Sequence, residues 1–307
     1  MATAEAAADQ LPKWREPWRT GGIATLVREP QLVLMFTRNE MRDRYQGTLL
    51  GSAWDYMRPL TRFFVYFVVI GILLGISKSV PNFGIYIFSG VLVVQIFISA
   101  VQSGTKSLSR NSGLIRRVNV PQQAIPLASV LAVFLRQRPS VIILVVAAVI
   151  VGWHPSHLSA LPALIGGVGM LAIFVSGVTM ITSVVNMYVR DTQYAIETLV
   201  MLTRWASPVI YPWSLVPARF GAHSLITTIY FSNPVTVALF GVRTAVWEPT
   251  VSRAQWHAME ANPGAAAKVP TMPLLPLVLS IVITLSTFAV GAWLVHRTEH
   301  RVASRVS

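Results

Sequence analysis

The chain has no cysteine in its 307 residues. Disulfides, thiolate nucleophiles and zinc–thiolate sites are therefore excluded. Charge is scarce as well: 12% of residues are Asp, Glu, Lys or Arg, about half the share of an ordinary soluble domain. Carboxylates are the scarcest, 12 against 25 Lys and Arg. No Gly-Lys pair occurs, so the G-x-x-x-x-G-K-S/T loop that cradles nucleotide phosphates is missing. There is no H-E-x-x-H, and His154 and His157 sit in a short loop with no carboxylate beside them. No metal site is expected. On the outer side assigned below, only Glu248 and Glu260 could serve as catalytic acid or base. These absences favour a transport protein that draws its energy from elsewhere over an enzyme.

What the chain has is apolar surface, with 53% hydrophobic residues and a mean hydropathy of +0.57. That is the composition of a polytopic membrane protein. The net charge of +13 would suit nucleic acid, but cations gathered on cytoplasmic loops account for it. No nucleic acid is expected. The first apolar run, near 23–36, is broken by Arg28, Glu29 and Pro30. It does not read as a cleavable signal peptide, and the first 12 residues are expected to be disordered.

A crossing helix needs about 20 apolar residues. Five such stretches are plain, at 60–77, 83–103, 158–188, 194–213 and 273–295, and a sixth within 121–152 starts near Pro126. A further apolar stretch, 224–242, is interrupted by Asn233-Pro234, a dipeptide that breaks a helix. The basic tail and the arginine-rich N-terminus both belong on the cytoplasmic side, which requires an even number of crossings. The predicted fold is an all-α polytopic membrane protein with six transmembrane helices. Residues 1–59 form a cytoplasmic segment with an interfacial amphipathic helix, and 60–296 the transmembrane domain. Within that domain a re-entrant outer helix pair, 222–247, and an outer loop, 248–272, precede the last span; 297–307 is a cytoplasmic tail. Most Lys and Arg then fall inside. Outside are Lys78, Arg219, Arg243, Arg253 and Lys268, and within spans Arg62, Arg136, Arg138 and Arg204. The expected location is the cell membrane, multi-pass, with both termini cytoplasmic.

Several constellations carry two readings each. Residues 38–59 hold Arg42, Arg44, Tyr45, Gly47, Gly51, Trp54 and Tyr56, either a membrane-surface anchor or an elbow that meets lipid phosphate or a partner. The loop 107–121 carries Arg110, Arg116 and Arg117 among Leu108, Leu114, Ile115 and Val118. Orientation needs only its charges, whereas docking needs both sets. Arg190-Asp191 is a helix-end cap or a second cytoplasmic contact. An arginine inside a span is a functional candidate by default. Arg62 can snorkel and Arg204 can pair with Glu197, two turns back. Arg136 and Arg138 fit a water-filled path or an anionic group. The spacing Gly71–Gly75 and the glycines 166, 167, 169 and 177 read as close helix packing. Outer aromatics, among them Trp205, Tyr211, Tyr230, Phe231, Phe240 and Trp247, form an interfacial belt or stacking platforms for sugar rings.

Taken in order, these motifs resemble the permease subunits of polysaccharide-exporting ABC transporters, the O-antigen and teichoic-acid exporters. The resemblance rests on Arg44-Tyr45-Gln46-Gly47-Thr48-Leu49-Leu50-Gly51-Ser52-Ala53-Trp54 with Pro59, then Leu114-Ile115-Arg116-Arg117-Val118 with Pro121 and Pro126. Asn186 with Arg190-Asp191, Ser207-Pro208 with Tyr211 and Val216-Pro217, and Asn233-Pro234 complete it. Within the family the chain is most similar to the actinobacterial, mycobacterial branch, which implies export of a lipid-linked galactan for the cell wall. Arg58, Asn119-Val120, Gln122-Gln123, Arg136, Arg138 and a long outer loop depart from the family pattern.

The resemblance implies a homodimer of permeases on two copies of a separate ATP-binding subunit, which would hold ATP and Mg; this chain would bind no cofactor. The cargo would be a polyprenyl-pyrophosphate-linked glycan. ATPase coupling would fall to Arg42, Arg44, Tyr45, Trp54, Arg110, Leu114, Ile115, Arg116, Arg117, Arg190 and Asp191. The substrate pathway would include Arg136, Arg138, Arg204, Trp205, Tyr211, Tyr230, Phe231, Asn233 and Pro234. Two other classes remain open: a membrane enzyme or scaffold of cell-wall glycan synthesis, and a channel or transporter that needs no ATPase.

Overall fold

The computed structural model describes residues 30–42, 53–78, 80–117, 121–153, 160–260, 269–270 and 273–305. The readings made for Arg44, Tyr45, Gly47, Gly51, His154 and His157 lie outside these residues. So do those for the side chains of Arg42, Leu114, Arg116, Arg117 and Glu260.

The described chain is helical. Helix α1 is Pro30–Arg42, and α2 is Trp54–Tyr66, continued by a π-helical stretch, Phe67–Leu73. Helix α3 is Phe83–Thr105, followed by the short α4, Ser107–Arg110, and α5, Ser112–Arg117. Helices α6, Ala124–Arg136, and α7, Arg138–Val151, meet at Gln137. The long α8 is Leu161–Tyr188, and α9 is Thr192–Ala206. Then come α10, Leu215–Phe220, α11, Leu225–Phe231, α12, Pro234–Val246, α13, Arg253–Glu260, and α14, Leu274–Arg305. Among the described residues, five stretches are long and apolar enough to cross a membrane: Trp54–Leu73, Phe83–Thr105, Ala124–Val151, Leu161–Tyr188 and Leu274–Thr298. The α11–α12 pair is bent by 63° at its break and counts as one further stretch if taken together.

Helix α3 is the centre of the bundle. Its residues are apolar on nearly every side, and most are buried. Around it pack α6, α8, α9 and α12. Glycine governs two of the closest approaches. A Cβ on Gly177 of α8 would lie 2.6 Å from the backbone nitrogen of Phe288, and one on Gly241 of α12 would lie 2.3 Å from the carbonyl oxygen of Ala163. The outer part of α8 therefore seats α12 and its later part seats α14. Gly166 and Gly169 face open space. Of the Gly71–Gly75 spacing only Gly71 packs closely: it lies in the π-helical stretch, where a Cβ would come 2.8 Å from the Phe83 ring, whereas Gly75 meets nothing within 4 Å and has φ +73 where the chain turns.

Two boundaries differ from the sequence reading. The first long helix begins at Trp54 instead of 60, with Pro59 inside it, so Trp54, Tyr56 and Arg58 belong to the spanning helix. Pro59 is the sixth residue of the helix, past its first turn, and it has no N–H to give the carbonyl of Asp55. The stretch expected at 194–213 is helical only over Thr192–Ala206. Fifteen residues rise only about 22 Å. Ser207 is extended (φ −120, ψ 151), as the residue before a proline is biased to be.

Helix α1 packs on α6. Phe36 is buried with Leu108, Ile115, Ala124 and Ile125, and Thr37 Oγ1 donates to Val33 O (2.7 Å). Ile115 therefore points into the bundle, a correction to its expected place on a docking surface.

Candidate functional site

The site is built on one face of α3. From Leu92 to Lys106 the residues that are not fully buried are Gln95, Ser99, Gln102, Ser103 and Lys106. All five are polar, and their spacing puts them on one stripe of a helix. An otherwise buried apolar helix with a single polar, unburied stripe faces a space that is neither core nor lipid.

That space is a cleft in two parts. The deeper part, about 100 Å³, is lined by Asp55, Arg58 and Arg62 of α2, Gln95 and Ser99 of α3, Arg136 of α6, and Gln137 and Ser140 at the α6–α7 break. The wider part, about 420 Å³, is lined by Glu40, Ser99, Gln102, Ser103, Lys106, Arg110, Arg136 and Glu197. Ser99 and Arg136 belong to both. A small adjoining hollow brings Arg62 and Gln95 together with Arg204. The cleft thus runs from the basic end of the bundle towards its middle, with cations along its wall.

Local chemistry fixes its members. The α6–α7 break places Gln137 in a non-helical conformation (φ −82, ψ 0) just before Pro139 at the start of α7. Ser140 Oγ then donates to Gln137 Oε1 (3.0 Å). This break turns Arg136 into the cleft and leaves Arg138 exposed and off its lining. Arg58 stacks towards the Trp54 ring at 5.8 Å and lines the same cleft. Arg204 donates to Gln95 Oε1 (3.4 Å). Glu197 pairs with Lys106 and not with Arg204, because the face of α9 that carries both residues lies on α3. Arg110 pairs with Glu40, and Ser103 Oγ donates to the same carboxylate (3.2 Å).

The contacts of α9 continue past its end. Glu197 meets Lys106, Arg204 meets Gln95, Val209 abuts Gly90, and Tyr211 O accepts from Tyr86 Oη (3.3 Å). Helix α9 and the irregular residues after it therefore run antiparallel along α3 from its basic end to its opposite end.

At that opposite end the aromatics pack together rather than line a path. Phe231 and Phe240 are buried, Tyr230 nearly so, and Trp247 is fully buried, its Nε1 donating to Pro81 O (2.9 Å). Tyr211 and Tyr230 stack at 6.5 Å. Trp205 alone of the predicted pathway aromatics is widely exposed, at 67%. Asn233 and Pro234 start α12: Asn233 Oδ1 accepts from Val235 N (3.0 Å), and Pro234 occupies the first turn, the usual arrangement for a helix N-terminus.

Arg190 and Asp191 lie exposed in the turn between α8 and α9. Asp191 makes no side-chain cap bond, so its contribution to α9 is limited to the helix dipole. Glu248 Oε1 accepts from Val269 N (2.8 Å).

Sequence reasoning missed two features. The polar stripe of α3 was readable as Gln95, Ser99, Gln102, Ser103 and Lys106 recurring at helical spacing in an apolar run. Arg243, counted in the sequence only among the cations outside the membrane, is 1% exposed, buried in the protein interior. Its guanidinium lies 3.5 Å over the Tyr86 ring, and its Nη2 donates to Tyr86 O (3.4 Å) and Val209 O (3.3 Å). Its Nε and Nη1 have no hydrogen-bond partner. Each such buried orphan costs on the order of 1–3 kcal/mol, more where the group is charged. A lone arginine in a short apolar helix gives no sequence sign of which face it occupies.

These elements define the class: a multi-pass helical membrane protein with a polar, cation-lined cleft. No family model matches the chain. It is 24% identical over 193 residues to the O-antigen export system permease protein RfbA of Klebsiella pneumoniae, covering 62% of this chain and 72% of that protein. It is 25% identical over 218 residues to the protein of the same name from Myxococcus xanthus, covering 71% of this chain and 80% of that one.

Proposed function

We propose that this chain is the membrane subunit of an ATP-driven polysaccharide exporter. The observation that carries the reading is the single polar stripe of α3 opening into a cleft walled by Arg58, Arg62, Arg136 and Arg204. Apolar cargo would need no such wall, and intramembrane cations are retained where they meet water or an anion. The similarity to O-antigen export permeases supports a glycan as cargo. The anionic part of a polyprenyl-pyrophosphate-linked glycan is the group the arginines would receive, Arg136 foremost. A cell-wall galactan is the specific cargo we infer.

ATP and Mg chemistry would belong to a separate subunit in two copies, in keeping with the lack of a Gly-Lys pair in this sequence. The exposed basic turn at Arg190-Asp191 and the segment around Arg116 and Arg117 are the docking elements. Six crossings complete the topology: five long helices, and α9 extended by residues 207–211 along α3. The α11–α12 pair dips and returns on the outer side. Helix α2 and helix α9 carry wide exposed apolar faces, with Phe64, Leu73, Leu199, Leu202 and Trp205 among them. A second copy of the chain would cover these faces and close the channel. Both termini are cytoplasmic in this arrangement.

The test is depletion in the native cell. A lipid-linked glycan should accumulate on the cytoplasmic face, and a P-loop protein should co-purify with the chain. Depletion without accumulation of any lipid-linked glycan would overturn the reading.

A further inference from the structure

The α11–α12 pair, the end of α3 and the residues after α9 meet around one side chain. Arg243 is on α12. Its Nη2 reaches carbonyl oxygens on two other segments, Tyr86 on α3 and Val209 beyond α9, and its plane lies 3.5 Å from the Tyr86 ring. The fit is tight: a Cβ on Gly90 would come within 3.0 Å of Nη2 and 3.3 Å of Val209 Cα.

The same packing leaves polar atoms unsatisfied. Ser207 Oγ, Thr236 Oγ1 and Arg243 Nε and Nη1 are buried without a hydrogen-bond partner. Thr236 and Arg243 lie two turns apart on one face of α12, and Ser207 is two residues from Val209. Buried polar groups are ordinarily paired, so these unpaired ones would gain partners in an arrangement that admits water. Water or the hydroxyls of a passing chain would satisfy these groups once the pair moves away.

We propose that Arg243 is a latch that holds the α11–α12 pair against α3 and residues 207–211, and that the polar surface beneath it becomes wet when the latch releases. A cation suits the task because it binds two carbonyls and a ring at once, yet gains new partners in water when it lets go. The inference rests on the transport reading only for the reason an outer end must open; closure itself can be measured without cargo.

The absence of cysteine supplies the experiment. The full chain carrying Thr236→Cys, in lipid nanodiscs, is exposed to a water-soluble maleimide without cargo or ATPase. Thr236 is fully buried, so labelling should be slow. Adding Arg243→Met should speed it roughly tenfold or more, by shifting local opening, with Arg243→Lys intermediate. Unchanged labelling in a folded Arg243→Met protein overturns the latch. If that variant does not fold, Arg243→Lys decides: faster labelling supports the latch and an unchanged rate overturns it. Because the readout needs no glycan, a failed latch is distinguishable from a failed transport reading.

Discussion

Lys106, just past the C-terminal end of α3, pairs with Glu197 in the second turn of α9. The bond fixes the register between the helix that carries the polar stripe and the helix that flanks it. Both side chains are substantially exposed, at 42% and 36%, so solvent screens the pair. A double-mutant cycle on thermal unfolding should return a coupling of about 1 kcal/mol or less. Export should respond more than stability does. Glu197→Lys should impair it, and the reversed pair Lys106→Glu with Glu197→Lys should restore it. Failure of the reversal to restore export would show that the register role is wrong.

The α8–α14 contact predicts an asymmetry between neighbouring glycines. Gly177→Ala forces a methyl into the backbone of Phe288 and should destabilise by about 1–3 kcal/mol. Gly166→Ala meets open space and should be neutral, or stabilising by up to about 1 kcal/mol. Thermal unfolding in detergent separates the two.

The α6–α7 break separates two arginines that look alike in the sequence. Arg136 lines both parts of the cleft and Arg138 lines neither. Arg136→Gln should lower export roughly tenfold, the worth of one charge-assisted hydrogen bond, while Arg138→Gln leaves it near normal. Equal effects of the two substitutions would remove the cleft from the route.

Docking is tested at Arg116 and Arg117. Replacing both by Glu should uncouple ATP hydrolysis by the partner from export, with membrane insertion intact. Hydrolysis assayed beside export reads this directly, and normal export in the double variant would refute docking through this segment.

Much of the helical plan was legible because long apolar runs leave few alternatives in a bilayer. The runs at 83–103 and 273–295 are helices that extend beyond those limits. The misreadings have physical causes. Hydropathy located an apolar stretch at 194–213, but Pro208 stops the helix at Ala206, and composition does not register that. The first long helix was expected to begin near 60, whereas it begins at Trp54, because the polar residues before 60 hide the helix from a count of apolar residues. Ile115 was assigned to a docking face since it stands in a basic loop, yet α1 folds over it. Arg136 and Arg138 were grouped because they are two residues apart, and only the backbone break between them shows that they part company. The stripe on α3 was present in the letters, but its meaning depends on the rest of that helix being buried, which only packing decides.

The early end of α9 has a consequence beyond topology. Where a helix stops inside a bundle, the carbonyls that would have bonded within it are left to find donors elsewhere. Val209 O finds Arg243, 34 residues along the chain, and Tyr211 O finds the Tyr86 hydroxyl. The proline that ends the helix before 208 and the arginine buried at 243 are therefore two halves of one solution: the first leaves a carbonyl without a partner in its own helix, and the second supplies the donor.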